Sequence, residues 1–263
     1  MNPSPARLAR ALDRSASLFT IVPVRTQAVE LGPGDGVDAL LWLPAIGAVA
    51  GALAGLPATA IRQWSPHANG LGAVLAIAAL AIVTRGLHLD GLADTADGLG
   101  SRAPAERALE IMRKSDIGPF GVVTLVLVLL ADVVAVSGIP GGPWTPVAAL
   151  AVAAMTGRVT AVQAAMRGVK AARTSGFGTL VADGVPPGTV AAWTIGALAA
   201  GAFIAAAAGL AIIWVVGCQC VAMGVGWLLR AQAGRRLGGI TGDVFGALIE
   251  TTTAVALIGI ALW

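Results

Sequence analysis

The sequence predicts an all-α protein, a polytopic transmembrane helix bundle of about seven spans with short cytoplasmic amphipathic helices. Apolar runs of about 20 residues recur along the chain, and only 12% of residues are charged, against roughly 25% in a soluble domain. No run alternates as a membrane β-strand would, so helices are left to satisfy the backbone in lipid. Basic residues fall in every second loop, and tryptophans gather near the ends of the runs.

In chain order the spans are expected at about 40 to 61, 70 to 92, 119 to 138, 147 to 166, 190 to 208, 212 to 229 and 244 to 263. The fifth and sixth form one apolar stretch, split near Gly209 because about 40 residues exceed a single crossing. The N-terminal segment carries Arg7, Arg10, Arg14 and Arg25, and the loop after span two carries Arg102, Arg107, Arg113 and Lys114. Arg167, Lys170 and Arg173 follow span four; Arg230, Arg235 and Arg236 follow span six. The alternate loops hold only Arg62. Cytoplasmic loops collect Lys and Arg, so the chain is expected in the cell membrane with its N-terminus in the cytoplasm and its C-terminus outside. Trp42, Trp64, Trp144, Trp193, Trp227 and Trp263 lie near span ends, and Trp214 follows the turn at Gly209.

Spread over four loops, the basic residues read as topology, and nucleic acid is excluded as a partner. The N-terminus resembles the start of a signal peptide, but Pro23 and Arg25 interrupt the apolar segment and no small-residue cleavage site follows. Residues 7 to 22 are expected to form an amphipathic helix on the membrane surface. Residues 104 to 114 should form another, with Pro104 at its start, Glu106 and Glu110 early, and Arg113 and Lys114 late. Cys218 and Cys220 sit in an apolar run and read as small buried side chains. One integral domain, 1 to 263, accounts for the whole chain; a homo-oligomer is left open.

The chemistry starts at GLHLDGLADTADGLG, residues 86 to 100. Asp90, Asp94 and Asp97 recur at i, i+4, i+7, which places three carboxylates within an arc of about 60° on one helix face. A carboxylate deep in the bilayer costs roughly 2.5 to 3.5 kcal/mol, and three neighbours repel one another. A hard divalent cation relieves both problems, so the three aspartates are candidate ligands of Mg²⁺, with Mn²⁺ possible, and Asp94 and Asp97 are candidate catalytic groups. The competing reading is a solvated helix end. Against it, the aspartates approach the end of span two, where a helix C-terminus disfavours negative charge.

Two further segments offer phosphate contacts. Arg113, Lys114 and Ser115 in MRKSDIGPFG supply charged and hydroxyl donors beside a Gly118-Pro119 break. In RRLGGITGDVFGALIE, Thr241, Gly242 and Asp243 follow glycines at the start of a helix; the loop cradles phosphate, or Asp243 is simply the N-cap. Arg158 and Arg173 are candidate anion partners, and Arg85 snorkels to the interface or pairs with an anion. His88 projects away from the aspartate face and either contacts a substrate or is structural. Asp132, a costly carboxylate in span three, has Arg158 as a candidate partner.

The spacing Gly86-x₃-Asp90-x₃-Asp94 is similar to the tail of the motif in CDP-alcohol phosphotransferases, although Asp94-x₂-Asp97-Gly98 overlaps that tail instead of preceding it. An ion-coupled secondary transporter is the reading from a different class, with Asp90, Asp94, Asp97 and Asp132 as ion ligands. A more extensive resemblance spans residues 86 to 250. LHLDGLADTADGLG (87 to 100), IMRKSDIGPFGV (111 to 122), AR-x₂-GFG (172 to 178) and GGITGD (238 to 243) together resemble the cobalamin synthase family, the adenosylcobinamide-GDP ribazoletransferases. Departures occur at Leu89, where many members carry Glu, and at Lys114-Ser115-Asp116, where many carry Asp-Ser-Arg. The resemblance implies a Mg²⁺-dependent membrane transferase that joins adenosylcobinamide-GDP to α-ribazole or its 5′-phosphate and releases GMP. It implies that Asp90, Asp94 and Asp97 hold metal and diphosphate on the cytoplasmic side, with Arg113, Arg158 and Arg173 sharing the remaining charge.

Overall fold

A computed structural model describes residues 5–23 and 34–263, with side chains from residue 9 in the first of these segments. Arg25 lies outside the described residues, as does the side chain of Arg7. The chain folds into α1 (Pro5–Phe19), α2 (Asp35–Trp64), α3 (Asn69–Val83, led by a 3₁₀ turn Pro66–Ala68), α4 (Leu87–Gly100) and α5 (Ala105–Ile111). Then come α6 (Pro119–Gly138), α7 (Thr145–Ala164), α8 (Phe177–Val181), α9 (Pro187–Ala208), α10 (Ile212–Leu237) and α11 (Gly242–Ala261). Among the described residues seven helices, α2, α3 with its 3₁₀ turn, α6, α7, α9, α10 and α11, are long and apolar enough to cross a membrane, as the sequence predicts. Prolines in the first turns of α6, α7 and α9 start those helices where no N–H is missed, and left-handed Gly209 and Gly238 end α9 and α10.

The bundle is organised around α7, which is buried along nearly its whole length. Lipid is as apolar as leucine, so helices in a bilayer associate through close backbone approach at small residues. Gly47, Gly51 and Gly55 provide that approach on α2: a Cβ on Gly51 would stand 2.2 Å from the Leu150 carbonyl oxygen of α7. On the outside, Val123, Leu127, Leu130 and Val134 of α6 are exposed, the arrangement expected of a face turned to lipid.

The two ends of the bundle differ. At one, α2 passes to α3, α6 to α7 and α9 to α10 through short turns; at the other, α4 and α5 bridge α3 to α6, and α8 lies between α7 and α9. The polar machinery is built at the second end.

Span two is shorter than the expected 70 to 92. It stops at Val83, where Gly86 N–H donates to the Ala81 carbonyl at 2.8 Å and Arg85 and Gly86 adopt left-handed φ values of 56° and 65°. The aspartates therefore belong to a new helix, α4. At the other extreme α10 continues past 229 to Leu237 and carries Arg230, Arg235 and Arg236 as helical residues. The expected N-terminal helix is present, but its inner face packs on protein: Ala11, Ser15 and Phe19 are buried, Arg14 pairs with Asp35 of α2, and Arg85 donates to the Leu18 carbonyl at 2.9 Å. Arg85 thus ties α1 to the end of α3.

Candidate active site

With span two ending early, Asp90 falls in the first turn of α4. The dipole there favours a carboxylate, which reverses the argument made from a helix C-terminus. Glycines then decide what the aspartates face. A Cβ on Gly91 would lie 2.7 Å from the Asp243 carbonyl oxygen, and one on Gly246 would lie 2.8 Å from the His88 carbonyl oxygen. α4 and α11 consequently cross in backbone contact, which sets Asp243 among the aspartates of α4.

Asp94 is half-buried in this cluster and makes no hydrogen bond with any described residue. Burial first, then the charges of Asp90 and Asp243, push its carboxyl up to about 7; Arg173 works in the opposite direction, and Asp97 adds a smaller upward push. Arg173 holds Asp243 through Nη1, at 3.0 Å from Oδ2, and reaches the Leu109 carbonyl of α5 at 3.3 Å. Its Nε is buried without a partner. The N-cap of α11 is Thr241, whose hydroxyl accepts from the Val244 N–H at 3.2 Å and donates to Asp243 at 3.3 Å. Capping therefore does not explain Asp243, one of the two readings left open by the sequence; its carboxylate faces the site beside Gly242.

Asp97 departs most from expectation. Its Oδ2 accepts from the Gly118 N–H at 2.7 Å and its Oδ1 from the Gly121 N–H at 2.9 Å, so both oxygens are engaged by the first turn of α6. A Cβ on either glycine would run into the carboxylate. Asp97 is a cap, not an open ligand, and the acidic face consists of Asp90 and Asp94 from α4 with Asp243 from α11. Among the described residues no three His, Cys, Asp or Glu side chains converge closely enough to hold an ion unaided. That donor set fits Mg²⁺, which keeps waters and is usually held by one or two carboxylates together with substrate phosphates. The charge excess that raises Asp94 is what a divalent cation would neutralise.

Asp90, Arg173, Thr241 and Asp243 line one side of a cavity of about 370 Å³. Much of the rest is apolar, with Leu40 and Leu43 from α2, Ile249, and the rings of Phe19, Phe177 and Phe245; Ser175 and Thr179 also contribute. Phe177 meets Phe19 and Phe245 edge-on, with centroids 5.4 and 6.1 Å apart. His88 also lines this cavity, in addition to projecting off the aspartate face.

Other predicted residues lie elsewhere. Arg113, Lys114 and Ser115 are exposed in the turn between α5 and α6 and do not line the cavity. Arg158 is 2% exposed in the core of α7, outside the cavity lining, with Nη1 donating to its own helix at Ala154. Its expected partner Asp132 makes no ion pair with any described residue. Glu250 of α11 is the acid whose charge bears on Arg158, without an ion pair between them, and its Oε1 lies 3.8 Å from His88 Nδ1. Burial, then Arg158, holds His88 well below the usual imidazole range, so the ring is neutral. Sequence reasoning missed Glu250 although its signal, a lone acid inside an apolar span, is the one that singled out Asp132. It also missed Phe19, Phe177 and Phe245, which have no spacing that sets them apart from core residues.

A seven-helix membrane bundle with an acidic, partly aromatic pocket at one end defines a polytopic membrane enzyme equipped for a phosphorylated substrate. The chain belongs to the cobalamin-5-phosphate synthase family, whose profile matches residues 12–261. It is 41% identical to an adenosylcobinamide-GDP ribazoletransferase of Frankia casuarinae over 94% of this chain and 92% of that protein. It is 36% identical to the protein of that name from Klebsiella pneumoniae strain 342, over 84% of this chain and 86% of the relative. A Bradyrhizobium diazoefficiens protein of the same name is also 36% identical, over 93% of this chain and 90% of its own. No solved structure matches the chain. Membership sets aside the phospholipid-enzyme and transporter readings.

Proposed function

We propose that the acidic pocket is where this cobalamin synthase joins adenosylcobinamide-GDP to α-ribazole or its 5′-phosphate and releases GMP, using Mg²⁺. The observation that carries the reading is the gathering of Asp90, Asp94 and Asp243 beside Arg173, with Asp94 pushed up to about 7. Such a cluster is costly unless cationic charge meets it, and a diphosphate with its metal brings both the charge and the remaining oxygen ligands.

One or two of Asp90, Asp94 and Asp243 would hold the ion, together with phosphate oxygens and water. When bound, Mg²⁺ would supply charge neutralisation of the diphosphate and stabilisation of the oxygen that departs with GMP. A ribose hydroxyl other than the 5′, which stays free or phosphorylated, attacks the phosphorus that carries the cobinamide aminopropanol; the new P–O bond forms as the bond to the GMP phosphate breaks, and a carboxylate of the cluster takes the hydroxyl proton. Arg173 holds Asp243 in place through the 3.0 Å bond, and its unpartnered Nε offers a further donor toward phosphate. Asp97 acts at one remove, fixing the start of α6 against α4. The basic loops at this end support a cytoplasmic site, where soluble nucleotides arrive.

The test is product formation by membranes holding this protein. Cobalamin or its phosphate should form from adenosylcobinamide-GDP and the ribazole only with Mg²⁺, with one GMP released per product. Turnover that persists after chelation would remove the metal from the reading.

A further inference from the structure

The apolar side of the cavity contains a polar atom that the folded chain leaves unpartnered. His88 is 3% exposed, lines the cavity, and its Nε2 has no hydrogen-bond partner. Its other nitrogen settles the tautomer. Nδ1 faces Nη2 of Arg158 at 3.4 Å, and a guanidinium only donates, so Nδ1 accepts and the proton resides on Nε2. The Glu250 carboxylate, 3.8 Å from Nδ1, is too far to reverse that assignment. A buried N–H therefore stands beside Phe19, whose ring stacks on the imidazole with centroids 6.2 Å apart.

We infer that the aromatic half of the cavity is the subsite for the base of α-ribazole, with His88 Nε2–H donating to the base's single unsubstituted ring nitrogen. The inference rests on the reading of this pocket as the site of transfer. A benzimidazole presents two apolar edges, a π-face and one acceptor, and beside its phenyl rings and aliphatic side chains the cavity presents the free His88 donor; the other unpartnered donor, Arg173 Nε, belongs to the side chain paired with Asp243. Guanine carries N1–H and amino donors, and the side-chain carboxylates in the lining that could accept from them, Asp90 and Asp243, are the ones the functional reading assigns to metal and diphosphate. The other hydroxyls of the lining are engaged or at the rim. Thr179 donates to the Arg173 carbonyl, Thr241 to Asp243, and Ser175 is exposed. A volume of about 370 Å³ lies near the lower end of the roughly 300–1,000 Å³ of small-molecule sites, which suits a nucleoside. With the base inside, the ribose leads toward Asp90 and Asp243, which line the same cavity.

The probes are α-ribazole and the isosteric riboside in which that ring nitrogen is a CH. For the wild-type protein the KM for the CH analogue should be about tenfold higher, the effect of leaving one buried donor unpaired, at unchanged KM for adenosylcobinamide-GDP. His88→Phe should bring the two ribosides to within about twofold of each other, whereas Phe177→Ala should weaken both alike. Equal KM values in the wild type would overturn the subsite whether or not any variant folds. A preference for α-ribazole that survives His88→Phe would overturn the role of His88, and GMP competing with the riboside in place of adenosylcobinamide-GDP would assign the cavity to guanine. Failure of the wild type to make product from either riboside would instead defeat the functional reading itself.

Discussion

Toward the start and middle of α4, Asp90 and Asp94 carry acidic groups with no hydrogen bond to any described residue; nearer its end, Asp97 accepts with both oxygens from backbone N–H groups at the start of α6. The three lie on one face of one short helix. What separates them is the neighbour. Gly91 and Gly246 admit a second acidic segment against the first half, and Gly118 and Gly121 admit a helix N-terminus against the second. One half is charged and open, as a metal and phosphate site requires. The other is satisfied, and its work is mechanical.

The sharpest way to break this comparison is to remove charge from each half in turn. Asp94→Asn should lower the rate of GMP release on the order of 10²–10³-fold, about 3–4 kcal/mol in the barrier, with little change in thermal stability in detergent. An active Asp94→Asn enzyme would sink the metal assignment. Arg158→Met should come next, destabilising the fold by about 3 kcal/mol because it leaves Glu250 charged or unpaired within the bundle, as thermal unfolding would report. Asp97→Ala should cost about 1–2 kcal/mol of stability through the lost cap on α6. Asp97→Asn, which keeps an acceptor for one of the two N–H groups, should restore part of that stability and most of the turnover. Equal loss of turnover in Asp97→Asn and Asp94→Asn would show that the two halves share one role. Thr241→Val is the mildest change, about 1 kcal/mol of stability from the cap of α11, with the Mg²⁺ requirement kept.

Much of the fold was legible in residue order. Span three was expected at 119 to 138 and α6 occupies Pro119–Gly138, because proline and glycine punctuate both ends. The split at Gly209 also holds, with Gly209 left-handed at the end of α9. Span two was misjudged because Thr84-Arg85-Gly86 reads as one more polar interruption near an interface; only the hydrogen bond from Gly86 to Ala81 reveals a complete helix end. The site was legible in part. Asp90, Asp94, Arg173, Thr241, Gly242 and Asp243 converge, whereas Arg113, Lys114 and Ser115 remain outside, since a basic turn serves topology and a phosphate site equally well.

Composition, run length and glycine and proline punctuation by themselves determined the helical membrane bundle, because lipid admits few ways to satisfy a backbone and these leave strong one-dimensional marks. Helical period likewise determined that the aspartates share a face. Tertiary structure alone decided which aspartate meets an N-terminus and which meets another acid, that Glu250 rather than Asp132 accompanies Arg158, and that three distant phenylalanines form one wall. Those outcomes depend on where helices cross, and the crossings are set by glycines whose role is visible only when the opposing backbone is present.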